Sequence, residues 1–268
     1  MLKKLLKYDL RASFVPLGLL FLGAMLMFVL ATIFKALHIN QMVVSFAIFL
    51  VLVGIAMLVI AMVMLVMRFY KSLFGAEGYL TQTLPVGKGH ILVSKFITAA
   101  LLLITAFIGC FLAIAGAMIL SGVQWEQIQP IFDGTRGLHY LLTFAAVSAF
   151  VQMCATISQV YGAIVLSNTR MFLKNNILFA VIFYFASTMV VSILEMLGML
   201  LIPLGLQFHE DGVSFVFSSS LQSLLDGAMT GNSSTFVLGV GSVFIDVAVS
   251  IGLFLAARWL LIHKASVK

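Results

Sequence analysis

Long apolar runs separated by short polar segments dominate this chain. A helix needs about 20 apolar residues to cross the roughly 30 Å hydrocarbon core of a bilayer. Six runs reach that length, so the pattern predicts an all-α integral membrane protein with a single transmembrane domain over residues 1–268. The predicted spans cover residues 12–34, 42–67, 96–123, 138–166, 177–197 and 236–262.

Composition supports the same class. Hydrophobic residues make up 63% of the chain and charged residues only 9%, and the mean hydropathy is +1.20. A soluble domain carries about a quarter charged residues because its surface must be wetted. Lipid therefore has to cover much of this protein. The basic start is followed by a long apolar run without a small-residue cleavage site, which predicts a retained anchor rather than a cleaved signal peptide.

The distribution of basic residues predicts the orientation. With both termini in the cytoplasm, all but two of the 15 Lys and Arg residues fall in cytoplasmic segments, the exceptions being Lys35 and Arg136. This is the positive-inside pattern of a multi-pass protein of the cell (plasma) membrane. The net charge of +6 marks the cytoplasmic membrane face, so we expect no nucleic-acid partner. The predicted outer segments instead collect acids: Glu126, Asp133, Glu210, Asp211 and Asp226.

Residues 1–11 have helical periodicity, with leucines on one face and Lys4, Lys7 and Arg11 opposite. The pattern is typical of an interfacial helix whose leucines dip into membrane lipids while its cations face anionic headgroups. The alternative is a topology signal with no mechanical role.

The predicted cytoplasmic loop over residues 68–95 is long and rich in aromatic residues. Gly75 and Gly78 break its first helical piece, and Pro85 ends the second. An ordered aromatic loop at a membrane face favours docking of a soluble partner. A surface helix packed on lipid headgroups is the alternative.

The run from Arg68 through Glu77, Gly78, Tyr79 and Leu80 to Leu84, Pro85, Ser94 and Lys95 resembles small ABC-2-type permeases of Gram-positive bacteria. The resemblance implies a permease subunit of an ABC exporter that works as a homodimer with a separate ATPase subunit. Its cargo would be hydrophobic or amphipathic: a drug, a bacteriocin, or a peptide toxin such as a phenol-soluble modulin. The loop would hold the coupling helix that contacts the ATPase, through Phe69, Tyr70, Leu73, Phe74, Glu77, Gly78, Tyr79, Leu80 and Leu84.

No nucleotide site is expected in this chain. The glycines between Gly78 and Lys88 have the wrong spacing for a P-loop, and Gly89 replaces its Ser or Thr. We therefore predict no enzymatic activity and no cofactor here, with ATP and Mg on the partner subunit. Cys110 and Cys154 lie in apolar runs and predict small buried hydrophobic residues rather than a disulfide or metal site.

The segment 198–235 contains apolar stretches too short to span a bilayer. Such stretches are more often re-entrant or interfacial. ABC-2 permeases carry two short outer helices at this place, so the resemblance implies short re-entrant outer helices between spans 5 and 6. An ordinary outer loop is the alternative.

Two acids fall inside predicted spans. At about 1.5 Å per residue, Glu195 lies roughly 28 Å from the inner end of span 5, at the outer interface, and it is a possible path or clasp residue together with Asp246. Asp246 lies about 15 Å from Phe236, which is near the bilayer centre. A carboxylate there costs about 2.5 to 3.5 kcal/mol and should face protein or water.

Three roles stay open for Asp246. It either clasps a neighbouring span through Gln152 or Gln159, lines a transport path, or remains protonated without a role. Ser242 and Ser250 lie four residues to either side and are candidate hydrogen-bond partners. In the family the path is a largely apolar groove between two permease copies, and its candidates in span 5 are Phe179, Phe183 and Phe185.

Two other functions were weighed against the exporter. An intramembrane enzyme is disfavoured because the spans contain no Ser/His pair, paired aspartates or His cluster at matching depth. An ion-coupled transporter, or a non-catalytic membrane scaffold or immunity protein, remains the alternative. Ion coupling usually brings several buried charges and an internal repeat, whereas only Asp246 is central here.

Overall fold

A computed structural model describes residues 2–75, 87–122, 129, 138–169, 175–209, 212–223 and 236–263. Within them the chain forms six long helices and one small antiparallel sheet. The helices are α1 (Leu2–Ala36), α2 (Asn40–Leu73), α3 (Lys88–Leu120), α4 (Leu138–Ser167), α5 (Asn176–Leu201) and α6 (Gly241–His263). The strands are β1 (Gly205–His209), β2 (Gly212–Val216) and β3 (Phe236–Gly239).

The six predicted spans are confirmed, because all six helices are long and apolar enough to cross a membrane. The chain is therefore a helical multi-pass membrane protein. Helices α2 and α3 extend furthest into the segment predicted as a cytoplasmic loop, with 34 and 33 residues. At 1.5 Å per residue each is about 50 Å long, well beyond the roughly 30 Å of hydrocarbon.

Helix α1 is continuous through the two elements that the sequence predicts separately. The expected interfacial helix, 1–11, and the first span form one helix from Leu2 to Ala36. Residues 11–15 contain no Gly or Pro to end a helix. Pro16 lies inside the helix and only removes one backbone hydrogen bond, to the carbonyl of Ala12.

The chain divides into two compact units, of which the first comprises Met1–Gln127 with Val267–Lys268. In this unit α1, α2 and α3 all pack on one another. The seam between α2 and α3 is built from small residues: a Cβ added to Gly54 would lie 3.0 Å from Cβ of Ala113. Small residues let transmembrane helices approach closely, and dispersion contacts then hold them together.

A three-residue turn joins α1 to α2 and makes the two helices antiparallel neighbours. His38 takes a left-handed conformation (φ 60°) there. Nearby, the Lys35 ammonium donates a hydrogen bond of 2.8 Å to the carbonyl oxygen of Ile119, one residue before the end of α3. A cation at a helix C-terminus is favourable because the last carbonyls are unpaired and carry partial negative charge.

The second unit is Ile128–Ser266, in which α4, α5 and α6 pack pairwise. Its sheet has strand order β2-β1-β3, with both pairings antiparallel. Strand β2 contacts α4 and strand β3 contacts α5. The sheet is thus attached to the helical part of its own unit.

The re-entrant helices expected over 198–235 are not confirmed, since 205–209 and 212–216 are strands. Apolar and polar residues alternate along both segments, as in GLQFH and GVSFV. Alternation of period two is typical of a strand with two different faces. Leu206 and Val213 are buried, whereas Phe215, on the same face as Val213, is 47% exposed. Residues 210–211 and 224–235 lie outside the described part of the chain.

The last predicted span also starts later than expected. Residues 236–239 form β3, which pairs with β1, and α6 begins only at Gly241. The apolar run FVLG reads as part of the span because a short buried strand and a helix have similar hydropathy. This shift of five residues changes the depth assigned to Asp246.

Candidate functional site

Glu195 and Asp246 lie at the same level of the second unit. Asp246 is about 7.5 Å from the start of α6, and Glu195 is about 9 Å from the end of α5 at Leu201. When the last span is counted from Phe236, as the sequence predicts, the two acids are assigned different depths. Both lie within candidate membrane spans.

The two carboxyl groups are near neighbours across the contact between α5 and α6. Asp246 is only 5% exposed, and its Oδ1 has no hydrogen-bond partner among the described residues. Ser250 does not supply one, because its hydroxyl donates to the carbonyl of Val247 at 3.3 Å. An ionised carboxylate only accepts hydrogen bonds, so the pair needs a proton or an external cation between its members.

Two glycines bring the backbones of α5 and α6 together beside this pair. A Cβ added to Gly198 would lie 2.6 Å from Cγ1 of Ile245, and one added to Gly241 would collide with the carbonyl oxygen of Gly198. Gly198 follows Glu195 by one helical turn. The close approach of the helices therefore holds the two carboxyl groups side by side.

A cavity of about 660 Å³ lies among α4, α5 and α6. Its lining is apolar except for Gln159 and Ser187, and the other lining residues are Gly162, Ala163, Leu166, Phe183, Ala186, Val190, Val191, Leu194, Val249, Gly252, Leu253, Ala256, Ala257 and Leu260. The size is within the range of small-molecule sites. A ligand of drug size fits in this cavity.

Neither acid lines that cavity, but both lie on two of its helices about one helical turn beyond the lining. Residues three or four apart share a helix face. Glu195 is four residues beyond Val191 on α5, and Asp246 is three residues before Val249 on α6, and both valines line the cavity. The acids thus continue the lining by one turn at its Leu194 end.

The interhelical clasp differs from the one expected. Gln159 is buried, but its Oε1 lies 3.2 Å from the Thr188 hydroxyl of α5 rather than near Asp246. Gln152 is exposed on α4. The neighbour of Asp246 is Glu195, which the sequence places at the outer interface and names as a second path or clasp candidate. Only a contact between two helices reveals the pair, and no spacing within either helix signals it.

The three phenylalanines of α5 separate by position. Phe183 lines the cavity, and its ring stacks on that of Phe179 with centroids 6.1 Å apart. Phe185 is 64% exposed and does not line it. One of the three path candidates is therefore in contact with the cavity.

The predicted ATPase-coupling residues are only partly described. Phe69, Leu73 and Phe74 are buried in the first unit, and Tyr70 is half-buried. The first three thus serve packing around the end of α2. The remaining candidates lie outside the described residues: Glu77, Gly78, Tyr79, Leu80 and Leu84.

The described part of the chain contains no group of three His, Cys, Asp or Glu residues arranged to hold a metal ion. Cys110 is buried in α3, as expected of a small hydrophobic residue, and Cys154 is half-buried in α4. Both are free thiols.

No family model, curated protein or solved structure matches this chain significantly. What the structure itself shows is the class: a multi-pass membrane protein of six helices. The features of this structure that bear on function are the cavity, the carboxyl pair near it, and the long α2 and α3 helices.

Proposed function

We propose that this protein is the permease subunit of an ATP-driven exporter of the ABC-2 type, moving a hydrophobic or amphipathic cargo. The observation that supports this function best is the apolar cavity of about 660 Å³ among three membrane-spanning helices. A cavity at membrane depth with so few polar groups selects molecules with an apolar body. Such molecules reach it from lipid.

The long helices α2 and α3 support coupling to a soluble partner. Both exceed the hydrocarbon thickness, and they pack on each other. The adjoining ends of the two helices carry Arg68, Lys71, Lys88 and Lys95, which the positive-inside rule assigns to the cytoplasm. A stiff helical pair that extends beyond the bilayer can transmit a push from a partner ATPase. Buried Phe69 and Leu73 give this extension its packing.

The proposal includes a second permease copy, a homodimer, in the plasma membrane with both termini cytoplasmic. In it, the outer cap is the sheet of β1 to β3 together with residues 217–223, in place of two re-entrant helices. ATP and Mg belong to the ATPase partner, which contacts residues 76–86 and the end of α2.

Copurification tests the coupling. The chain is coexpressed with the products of neighbouring genes, and a stoichiometric P-loop ATPase is expected to copurify. Replacing Glu77 and Tyr79 by alanine should remove the ATPase while the permease stays monodisperse. The matched control replaces Glu210 and Asp211, two acids of the predicted outer side, and should retain the complex. Full retention of the ATPase by the first variant would overturn the coupling assignment.

The Glu195–Asp246 pair favours one competing function, ion-coupled transport, because proton and cation pathways use buried acids at membrane depth. Reconstitution separates the two. Uptake of a cationic amphiphile into inside-out proteoliposomes should require ATP and the ATPase partner. Uptake by the permease alone, driven by an imposed proton or sodium gradient and abolished by an ionophore, would replace the exporter with the ion-coupled transporter.

A further inference from the structure

We infer that the cavity of the second unit binds an amphiphilic cation, with its apolar body among α4, α5 and α6 and its ammonium head at Glu195 and Asp246. The inference deepens the proposed function by giving a chemical class of cargo. It rests on the proposed function only in treating the bound molecule as a transported one. Binding itself requires nothing beyond this chain.

The lining excludes most other classes of ligand. Only Gln159 and Ser187 contribute polar side chains to the cavity wall, and Gln159 already lies 3.2 Å from the Thr188 hydroxyl. Sugars, nucleotides and other polar molecules would lose hydrogen bonds to water without replacement. A ligand with an apolar body loses none.

The end of the cavity selects the sign of the head group. Helices α4 and α5 contain no Lys or Arg, and the one such residue of α6, Arg258, is about 18 Å along the helix from Asp246. No basic residue of these three helices therefore balances the two carboxyl groups at close range. The pair carries negative charge when its two acids share one proton and also when both are ionised. That charge attracts a cationic head group and repels an anionic one.

An unsatisfied acceptor points to a head group that donates hydrogen bonds. Oδ1 of Asp246 is buried and has no partner among the described residues. An orphaned acceptor in a low-dielectric site is costly, and a charge-assisted hydrogen bond from an ammonium group removes that cost. The acceptor lies one helical turn from Val249, which lines the cavity. An ammonium group at this end lies about one helical turn from Asp246 while its apolar body stays between the helices, and it contacts the buried Oδ1 once the side chains that cover this atom move aside.

Equilibrium dialysis against the purified chain in phosphatidylcholine nanodiscs tests the inference. The probes are 1-adamantylmethylamine and 1-adamantylmethanol, which share one apolar cage and differ in carrying an ammonium or a hydroxyl group. Empty nanodiscs correct for partition into lipid. We expect saturable binding of the amine, about one per chain, and binding of the alcohol that is about tenfold weaker.

Four variants locate the site. Glu195→Gln and Asp246→Asn should each weaken the amine about tenfold and leave the alcohol unchanged, which also shows that the variants are folded. Gly252→Leu should abolish binding of both probes, because the added side chain enters the open space beside Gly252. Asp226→Asn removes an acid of the segment between β2 and β3 and should change nothing.

Equal affinity for amine and alcohol, or amine binding that survives both carboxamide variants, would overturn the inference and assign the cavity to a lipid chain or a helix of a second copy. The permease is assayed without any ATPase, so the two proposals fail separately. Amine binding without ATP-driven export contradicts only the proposed function. ATP-driven export without amine binding contradicts only the cation site.

Discussion

The two units of the chain are both built from long apolar helices but have different interiors. In the first unit α2 and α3 meet along small residues, and the contact is closed: Gly54 faces Ala113, and Gly116 faces the side chain of Leu50. In the second unit α4, α5 and α6 leave a cavity between them, and two carboxyl groups lie about one helical turn beyond its lining. The helices of the first unit fill the space between them, whereas the helices of the second unit leave space for a ligand.

Glycine shows how one residue type gives both outcomes. A Cβ at Gly54 would press on Ala113, whereas a Cβ at Gly252 would meet nothing within 4 Å. In the first case the missing side chain lets a neighbouring helix approach. In the second it leaves space that no neighbour fills. Hydropathy does not distinguish these two roles of glycine. The residue that lies opposite each glycine distinguishes them.

The largest expected effect comes from Gly241→Ala in α6. Its new methyl group would collide with the carbonyl oxygen of Gly198, and a backbone atom cannot move aside as a flexible side chain can. We expect a loss of about 3 kcal/mol in the free energy of unfolding. Reversible unfolding in mixed detergent and SDS measures it.

Gly252→Ala is the matched control, with the same substitution in the same helix. Because open space surrounds Gly252, the better helix propensity of alanine should stabilise the chain by about 0.5 to 1 kcal/mol. Equal effects of the two substitutions would mean that the close approach of α5 and α6 does not exist in the bilayer.

A smaller effect is expected at the seam of the first unit. Gly54→Ala places its methyl group 3.0 Å from Cβ of Ala113 and should cost about 1 to 2 kcal/mol. Adding Ala113→Gly moves the methyl group from one helix to the other and should restore most of the loss. A double-mutant cycle in the same unfolding assay measures this coupling. A coupling near zero would show that the seam is loose and that the contrast between the units is false.

The smallest expected effect is that of Thr188→Val, which removes the hydroxyl next to Gln159. The hydroxyl lies 3.2 Å from Oε1 of Gln159 and 2.9 Å from the carbonyl of Tyr184, and its single proton serves one of them at a time. Interhelical hydrogen bonds in membranes contribute about 0.6 kcal/mol on average. We expect a loss of that size and unchanged amine binding. A loss of binding would place Thr188 in the site itself.

The helices could be predicted from the sequence because span length and charge asymmetry are local properties. The fourth predicted span, 138–166, ends one residue short of α4, and the fifth, 177–197, begins one residue after the start of α5. The ends of α2 and α3 beyond the bilayer were missed because Phe69 and Leu73 read as loop aromatics and aliphatics when they are buried in a helix.

The candidate site could not be predicted, since it depends on contacts between helices. Glu195 and Asp246 are 51 positions apart in the chain, and each alone reads as a single acid at its own depth. The depth of Asp246 was wrong because β3 was counted into the helix. The alternating residues of β1 and β2 indicate strands. The resemblance to ABC-2 permeases, which carry short helices at this place, led instead to a prediction of helices.

The close approach at Gly198 and Gly241 has a mechanical consequence. Two rods joined near one end can separate only by pivoting about that point, so their displacement grows with distance along the rod. Phe183 is about 22 Å along α5 from Gly198, and Glu195 is about 4.5 Å from it. A scissor motion of about 5° would therefore move Phe183 by about 2 Å and Glu195 by only about 0.4 Å. Such a motion would widen the cavity most at its Phe183 end, while the acids beside the pivot would keep their spacing.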